Sequence, residues 1–319
     1  MATSVAFVVG GLVLVIFFTE QLIKGTVGAA RGLGLSAFLV STVFLGFDPE
    51  NLAVGAVGSF ERAGGIALGT ILGSAMVAVT LALGVTAAIA PIRLTAAPRS
   101  VLVVPVAAVA LLTLVSVDGH LSRLDGVILV AGYALAVVRL ITLSRRGLDI
   151  EASGEVAKGL HQAEQLGKLR AVGMVVASLV MIVVASELLV EGATDLIDRY
   201  DLSQTFVGMT VLALAISIEE LVREVRPAMQ GRPEISIGNV VGSILAFFLL
   251  NAGIISLVHP IDVDEPTRRF FLPVAAGAVL VVSCLLLTRH IPRWAGLLLM
   301  GAYMGFVAGG YALYGARPT

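Results

Sequence analysis

The sequence predicts an all-α polytopic membrane protein with about ten transmembrane helices in two inverted five-helix repeats. Three observations predict this class. Hydrophobic residues make up 58% of the 319-residue chain and charged residues only 13%, and the mean hydropathy is +1.00. About ten segments supply the roughly 20 apolar residues that a spanning helix needs. A carboxylate-bearing motif also occurs once in each half, as expected of a membrane protein built from internal repeats.

The predicted spans are separated mostly by short connections. They lie near residues 4–24, 33–60, 64–90, 99–117, 124–143, 169–197, 202–229, 234–258, 270–288 and 292–314. The long polar loop 144–168 divides the chain into a first five-helix repeat over 1–143 and a second over 169–319. Because each repeat has an odd number of helices, the second repeat enters the membrane upside down relative to the first.

The composition excludes several functional classes. A net charge of −1 gives no sign of nucleic-acid binding. The single cysteine, Cys284, allows neither a disulfide nor a thiolate metal site. Since no nucleotide-binding motif is present, we expect ion gradients to supply the energy of any transport. No cofactor is expected, and a monomer is compatible with the sequence.

The distribution of basic residues predicts the orientation in the membrane. With the N-terminus outside, 15 lysines and arginines lie on the cytoplasmic side and 6 lie outside. Cytoplasmic loops retain Lys and Arg. We therefore expect a plasma-membrane protein, surrounded by the lipid bilayer, with both termini outside and the loop 144–168 in the cytoplasm.

A constant difference in residue number, the one between Ser74 and Ser243, aligns the two copies of the duplicated motif without a gap. This difference is called the offset below. The first copy comprises Gly46–Leu52 and Gly65–Ser74, and the second comprises Ala215–Leu221 and Glu234–Ser243. The equivalent pairs are Asp48 and Ser217, Glu50 and Glu219, Asn51 and Glu220, Gly69 and Gly238, and Gly73 and Gly242. We expect the two copies to enter the membrane from opposite faces and to meet near its middle.

Acidic residues inside the predicted spans indicate a cation site. A carboxylate at the bilayer centre costs about 2.5–3.5 kcal/mol on insertion scales, so it is normally buried, paired and functional. Hard cations prefer oxygen ligands, and Pro49 interrupts the backbone hydrogen bonds of its helix and frees carbonyl oxygens. The candidate ligands are Asp48, Glu50, Asn51, Thr70, Ser74, Ser217, Glu219, Glu220, Asn239 and Ser243.

Both halves resemble the alpha repeats of the calcium/cation antiporter superfamily, whose best-known members are sodium/calcium exchangers. The family motif reads Gly-Thr-Ser-x-Pro-Glu-Leu on one helix and Gly-Asn-x-x-Gly-Ser-Asn on the next. Matching residues are Glu220, Leu221, Gly238, Asn239, Gly242 and Ser243 in the second half, and Gly46, Pro49, Leu52, Gly69, Gly73 and Ser74 in the first. The resemblance implies a secondary antiporter that exchanges Ca²⁺, Na⁺ or H⁺ at an acidic site near the membrane midplane.

The chain departs from the family motif in both halves. The motif glutamate is kept as Glu220, but its counterpart in the first half is Asn51. At this point either Asn51 or the neighbouring Glu50 could hold the ligand position. The amide or acid that the family places four residues after its Gly-Ser is Ala78 in the first half and Phe247 in the second. Proton-coupled exchange of Na⁺ or a divalent cation, without Na⁺/Ca²⁺ coupling, is therefore an alternative.

Structural interpretations compete with these functional ones. Arg223 follows Glu219 by four residues and Glu220 by three, a spacing that permits helical ion pairs. Glu219 could then be a neutralised structural acid. Asp48 and Glu50 could instead cap a broken helix.

Two further alternatives concern the glycines and the class of activity. Glycines four residues apart, such as Gly69 and Gly73, are typical of closely packed membrane helices. An intramembrane enzyme that uses Asp48 and Glu50 as paired acids is a remote alternative, because no nucleophile, histidine cluster or basic headgroup pocket accompanies them in the sequence.

Overall fold

A computed structural model describes residues 1–32, 48–94, 104–144 and 168–316, and these are largely helical. The helices of the first half are α1 (Ala2–Gly32), α2 (Pro49–Phe60), α3 (Gly64–Ile89), α4 (Val104–Val115) and α5 (Arg123–Ser144). Those of the second half are α6 (Lys168–Arg199), α7 (Gln204–Ile216), α8 (Ile218–Met229), α9 (Pro233–Val258), α10 (Thr267–Leu287) and α11 (Arg293–Tyr314). Four two-residue strands are β1 (Ile92–Arg93), β2 (His120–Leu121), β3 (Ile261–Asp262) and β4 (His290–Ile291).

Six helices within the described residues are long and apolar enough to cross a membrane, or seven if the bent pair α7–α8 is one span. The class of helical membrane protein is thereby confirmed. The predicted spans 33–60 and 99–117 lie partly outside the described residues, and the predicted span 124–143 coincides with α5. The full count of ten stays a prediction.

Helices α3 and α9 form the centre of the protein. Within their most apolar windows, 94% of the α3 residues and 83% of the α9 residues are buried, against 22% for α1 and 28% for α6. The two central helices carry the glycine-rich parts of the duplicated motif. The arrangement therefore places those parts in the protein interior, away from the lipid-facing surface.

The predicted span 202–229 is formed by the helix pair α7–α8, and the chain bends by 47° between the two helices. At the junction Ser217 leaves helical geometry, with φ −97° and ψ 17°. The first turn of α8 follows the break and carries Glu219 and the buried Glu220. Irregular backbone at membrane depth is tolerated where protein surrounds it, and the positive end of the helix dipole favours acids in the first turn.

The duplication in the sequence is also a duplication of structure. The offset that aligns the two motifs carries both ends of α2 onto those of α8, and both ends of α3 onto those of α9. Short π-helical segments recur at the same offset, over Val77–Ala82 in α3 and Ala246–Asn251 in α9. Equivalent sequences thus form equivalent elements in the two halves.

The first helices of the two halves, α1 and α6, pack against each other in antiparallel orientation. A Cβ added to Gly11 would lie 2.8 Å from the carbonyl oxygen of Ala185, and one added to Gly192 would lie 2.7 Å from that of Ser4. The Ser4 hydroxyl also donates a hydrogen bond to Asp195. The start of α1 thus meets the end of α6, and glycines permit the close approach.

The short strands tie the two halves together. Strand β1 pairs antiparallel with β4, with Ile92 opposite Ile291, and β2 pairs antiparallel with β3, with His120 opposite Asp262. Each ladder joins a strand of one half to a strand of the other. The offset between the two motifs also relates β1 to β3. The β1–β4 ladder is therefore the counterpart of the β2–β3 ladder in the duplicated structure.

Glycines allow α3 to cross α7 at close range. A Cβ on Gly69 would overlap the backbone of Gly208, and one on Gly73 would meet the carbonyl of Met209 and the side chain of Ala213. The predicted packing role of these two glycines is confirmed. No described atom lies within 4 Å of a Cβ added to Gly238, the equivalent of Gly69.

Candidate cation-binding site

The two copies of the motif meet where α2 and α8 begin. The side-chain nitrogen of Asn51, on α2, donates a hydrogen bond to the hydroxyl of Ser217 at the α7–α8 break, at 3.0 Å. The same nitrogen donates to Asp48. All three side chains are buried. The contact predicted from the duplication is therefore present in the fold.

Carboxylates from both halves converge at this meeting point. One oxygen from each of Asp48, Glu50 and Glu219 lies within 4.8 Å of the others. Asp48 and Glu50 are buried, and Glu219 is 25% exposed. The second oxygens, Oδ1 of Asp48 and Oε2 of Glu50, are buried without a hydrogen-bond partner in the described part of the chain. Buried carboxylates are costly unless they are paired or bind a cation, so this group of acids is suited to a hard cation.

Glu220 is fully buried and held by α9. Its Oε2 accepts a hydrogen bond from Asn239 at 2.7 Å, and the Ser243 hydroxyl lies 3.4 Å from both carboxylate oxygens. These contacts fix the carboxylate against the second glycine-rich helix. Asn239 and Ser243 both belong to the second copy of the motif.

The first half repeats part of this arrangement with Asn51 in place of Glu220. The Ser74 hydroxyl of α3 donates to Oδ1 of Asn51 at 2.6 Å, as Ser243 approaches Glu220. Asn51 therefore occupies the position equivalent to Glu220. Glu50 faces the second half instead.

Thr70 is the candidate that the structure does not connect to the acids. It is the equivalent of Asn239, but its hydroxyl donates to the carbonyl of Ala67 within α3, at 2.8 Å. Its side chain packs against Gly55 of α2. The two glycine-rich helices thus present different polar groups at equivalent positions.

Arg223 lies among these acids, on the buried face of α8. Its Nη2 contacts Glu219 and lies 3.8 Å from Oε1 of Glu50, while its Nη1 lies 3.4 Å from Oε1 of Glu220. The predicted ion pairs with Glu219 and Glu220 are confirmed. The contact with Glu50 was missed, because spacing along one helix carries no information about an acid on another.

The capping interpretation of Asp48 is not supported. Asp48 stands at the N-cap of α2, with Pro49 as the first helical residue, but its side chain makes no capping hydrogen bond. It accepts the side-chain amide of Asn51 instead. Its carboxylate is thus directed to the meeting point of the two motifs.

Helix α8 has its polar face towards the protein and its apolar face outward. Ile218, Val222 and Met229 are 50%, 61% and 66% exposed, whereas Glu220 and Glu224 are buried. Glu224 was missed in the sequence, although it follows Glu220 by four residues and so shares its face. Neither carboxylate oxygen of Glu224 has a hydrogen-bond partner among the described residues.

These features define a helical membrane protein with a buried acidic site shared by two related halves. The chain belongs to the sodium/calcium exchanger protein family, whose profile matches residues 3–142 and 170–311. This confirms the resemblance seen in the motifs. Since the related proteins are exchangers and antiporters, the enzyme alternative is excluded.

Individual relatives match over nearly the whole chain. The putative antiporter CaxA of Alkalimonas amylolytica is 26% identical over 318 residues, which cover 96% of this chain and 98% of CaxA. The sodium/calcium exchanger MaX1 of Methanosarcina acetivorans is 26% identical over 333 residues, covering 93% and 95%. A structure of the sodium-calcium exchanger NCX_Mj, soaked with Na⁺ and Sr²⁺, aligns with a TM-score of 0.61 at 23% identity, covering 96% and 98%. The fold is therefore shared with that structure.

Proposed function

We propose that the protein is a secondary active cation antiporter of the sodium/calcium exchanger type, which moves a cation such as Ca²⁺ against Na⁺ or H⁺. The observation that carries this proposal is the convergence of Asp48, Glu50 and Glu219 from both halves in a helical membrane protein. Two buried oxygens in the group have no hydrogen-bond partner within the described residues. Membership of the sodium/calcium exchanger family supports the same activity.

In the proposed site, carboxylate, amide and hydroxyl oxygens replace the water around a hard cation. The carboxylates are Asp48, Glu50, Glu219 and Glu220, and the neutral ligands are Asn51, Ser74, Ser217, Asn239 and Ser243. Thr70 has a supporting role in this scheme, because its hydroxyl is bonded within its own helix. Competing ions occupy the site in turn as the helices around it expose it to one side of the membrane and then to the other.

The proposed architecture has ten helices in two inverted repeats, over 1–143 and 169–319. The antiparallel packing of α1 with α6 supports inversion, since these are the first helices of the two halves. We place both termini outside a plasma membrane and the loop 144–168 in the cytoplasm, on the basis of the basic residues.

A second candidate is proton-coupled exchange of Na⁺ or a divalent cation without Na⁺/Ca²⁺ coupling. It is favoured by Ala78 and Phe247, which are fully buried at equivalent positions in the π-helical segments of α3 and α9. Neither side chain offers an oxygen ligand. A site with fewer ligands than the family motif provides can hold fewer metal ions, and a proton needs only one carboxylate oxygen.

Isotope flux in proteoliposomes tests the proposal. Uptake of ⁴⁵Ca²⁺ is measured while outward Na⁺, Mg²⁺ and proton gradients are imposed one at a time. Uptake driven by a Na⁺ gradient supports Na⁺/Ca²⁺ coupling, and uptake driven only by a proton gradient supports proton-coupled exchange without Na⁺/Ca²⁺ coupling. The absence of gradient-driven uptake of both ⁴⁵Ca²⁺ and ²²Na⁺ would contradict antiport. Glu61→Gln, at an exposed acid, is the matched control.

A further inference from the structure

Arg223 occupies part of the space that the acids would offer to a cation. Its guanidinium contacts Glu219 and lies 3.8 Å from Glu50, two of the three acids whose oxygens converge within 4.8 Å. It also lies 3.4 Å from Glu220. One positive group of the chain thus reaches carboxylates of both halves.

This contact differs from an ordinary ion pair on a helix surface. Exposed i,i+4 pairs contribute little stability and tie together residues of a single helix. Arg223 is only 9% exposed, and it bridges α8 to Glu50 on α2. A guanidinium presents five donors in a planar fork and keeps its charge under all ordinary conditions. A single arginine can therefore neutralise part of a shared acidic site permanently.

The charges of the site do not balance with Arg223 in place. The guanidinium contacts three carboxylates, those of Glu50, Glu219 and Glu220. Asp48 adjoins Glu50 and Glu219, so three negative charges remain in this group of four acids when all of them are ionised. Arg223 also leaves two buried oxygens, Oδ1 of Asp48 and Oε2 of Glu50, without a hydrogen-bond partner in the described chain. The acids can therefore still bind mobile cations, but fewer than they would bind without Arg223.

We propose that Arg223 is a tethered cation that fills one cation position of the acidic cluster. This inference rests on the proposed antiport function. The carrier then holds one fewer mobile positive charge in its loaded state than the same cluster would hold without the arginine. Because the guanidinium stays on the protein, that charge is not delivered across the membrane in exchange for another ion. Arg223 thereby sets the number of mobile monovalent cations that the acidic cluster binds.

The consequence can be measured as the number of monovalent cations that the protein binds. In Arg223→Gln, a mobile monovalent cation fills the vacated position, and one additional monovalent cation binds per protein. In the double variant Glu219→Gln/Arg223→Gln, one acid is removed with the arginine, so the residual charge of the cluster returns to the wild-type value. Arg223→Lys keeps the positive charge and is expected to keep the wild-type stoichiometry.

The experiment uses the full-length protein, purified in detergent. Saturable equilibrium binding of ²²Na⁺ and of ⁴⁵Ca²⁺ is measured per folded protein. We expect Arg223→Gln to bind one more Na⁺ than wild type, and the double variant and Arg223→Lys to match wild type. Glu219→Gln alone, which keeps the arginine, is expected to bind one Na⁺ fewer than the double variant.

The outcomes separate this inference from the proposed function. If wild type saturably binds neither cation, the proposed antiport site itself fails. If wild type and Arg223→Gln bind the same number of Na⁺ ions, only the tethered cation is overturned. If Arg223→Gln does not fold, the double variant decides by comparison with Glu219→Gln, because equal Na⁺ numbers in those two variants would overturn the inference. A purely structural Arg223 would change the amount of folded protein and leave the number of Na⁺ ions bound per folded protein unchanged.

Discussion

Helices α2 and α8 hold equivalent places in the two halves, with equal lengths and bounds related by the offset of the duplicated motif, yet they carry different chemistry. Helix α8 presents Glu220, Arg223 and Glu224 on its buried face. At the corresponding positions α2 has Asn51, Val54 and Gly55. The duplication therefore maintains the backbone, while the charges are distributed unequally between the halves.

The difference extends to the glycine-rich helices. Asn239 on α9 binds Glu220, whereas its equivalent Thr70 on α3 binds within its own helix. In contrast, Gly69 on α3 lies against the backbone of α7, whereas its equivalent Gly238 has no described neighbour within 4 Å of an added Cβ. Among the described residues, the second half thus supplies more of the polar contacts around the acids. Of the two glycine-rich helices, α3 makes the closer described contact with another helix. Substitutions at matched positions test this asymmetry.

The largest effect is expected at the acid that only the second half retains. Glu220→Gln removes a buried charge that Asn239, Ser243 and Arg223 surround. Removing one partner of a buried charge pair costs about 2–5 kcal/mol. We expect at least about a 30-fold loss of apparent cation affinity, measured from the concentration dependence of tracer flux. Glu61→Gln should keep wild-type affinity, and an unchanged affinity in Glu220→Gln would remove Glu220 from the site.

The next effect is a loss of stability that we expect from overpacking where α3 crosses α7. Gly69→Ala places a methyl group into the backbone of Gly208, and overpacking of this kind costs about 1–3 kcal/mol. The same change at Gly301, which is exposed on α11, is expected to cost nothing. Thermal unfolding in detergent, followed through the fluorescence of Trp294, the single tryptophan, measures both. Equal destabilisation by the two variants would show that the crossing of α3 with α7 is not as close as described.

An effect of similar size is expected at the polar pair Asn239 and Thr70. Asn239→Ala removes a 2.7 Å hydrogen bond to the Glu220 carboxylate. Hydrogen bonds to charged groups contribute about 1.5–3 kcal/mol, so we expect a loss of cation affinity of about tenfold or more. Thr70→Val should change affinity less than about twofold, because the hydroxyl that it removes is bonded within α3. A larger loss in Thr70→Val than in Asn239→Ala would reverse the proposed asymmetry.

The smallest effect is expected at Glu224. Neither of its carboxylate oxygens has a hydrogen-bond partner among the described residues, and its equivalent in the first half is Gly55. Glu224→Gln keeps the volume and removes no described contact, so cation affinity should stay within about twofold of wild type. The same flux titration compares it with Glu220→Gln. A loss as large as that of Glu220→Gln would make Glu224 part of the cation site.

Much of this arrangement could be predicted from the sequence, because duplication and hydropathy are properties of the chain. The constant offset between the two motifs predicted the equivalence of α2 with α8, and the buried acids were found from their depth in the predicted spans. The break at Ser217 was missed, since Ile216 and Ile218 flank it with no glycine or proline to mark it. Its cause lies in the packing around it, which the local sequence does not show.

Contacts between the halves could be predicted only in outline. The motifs were expected to meet, but the bond from Asn51 to Ser217 and the approach of Arg223 to Glu50 depend on how two distant helices are rotated. The spacing of residues along one helix shows which of them share a face of that helix. It does not show which side chains of another helix they contact. For the same reason Thr70 was included among the candidate ligands, although its hydroxyl is bonded elsewhere.

The central claim is that acids of both halves form a single cation site. Equilibrium binding of the transported cation to purified protein tests it most directly, with wild type, Glu50→Gln and Glu220→Gln compared and Glu61→Gln as the control. A shared site predicts that either substitution, one in each half, abolishes the saturable binding. If each substitution removed only part of the bound cation and left the remainder at wild-type affinity, the halves would bind independently and the claim would be contradicted.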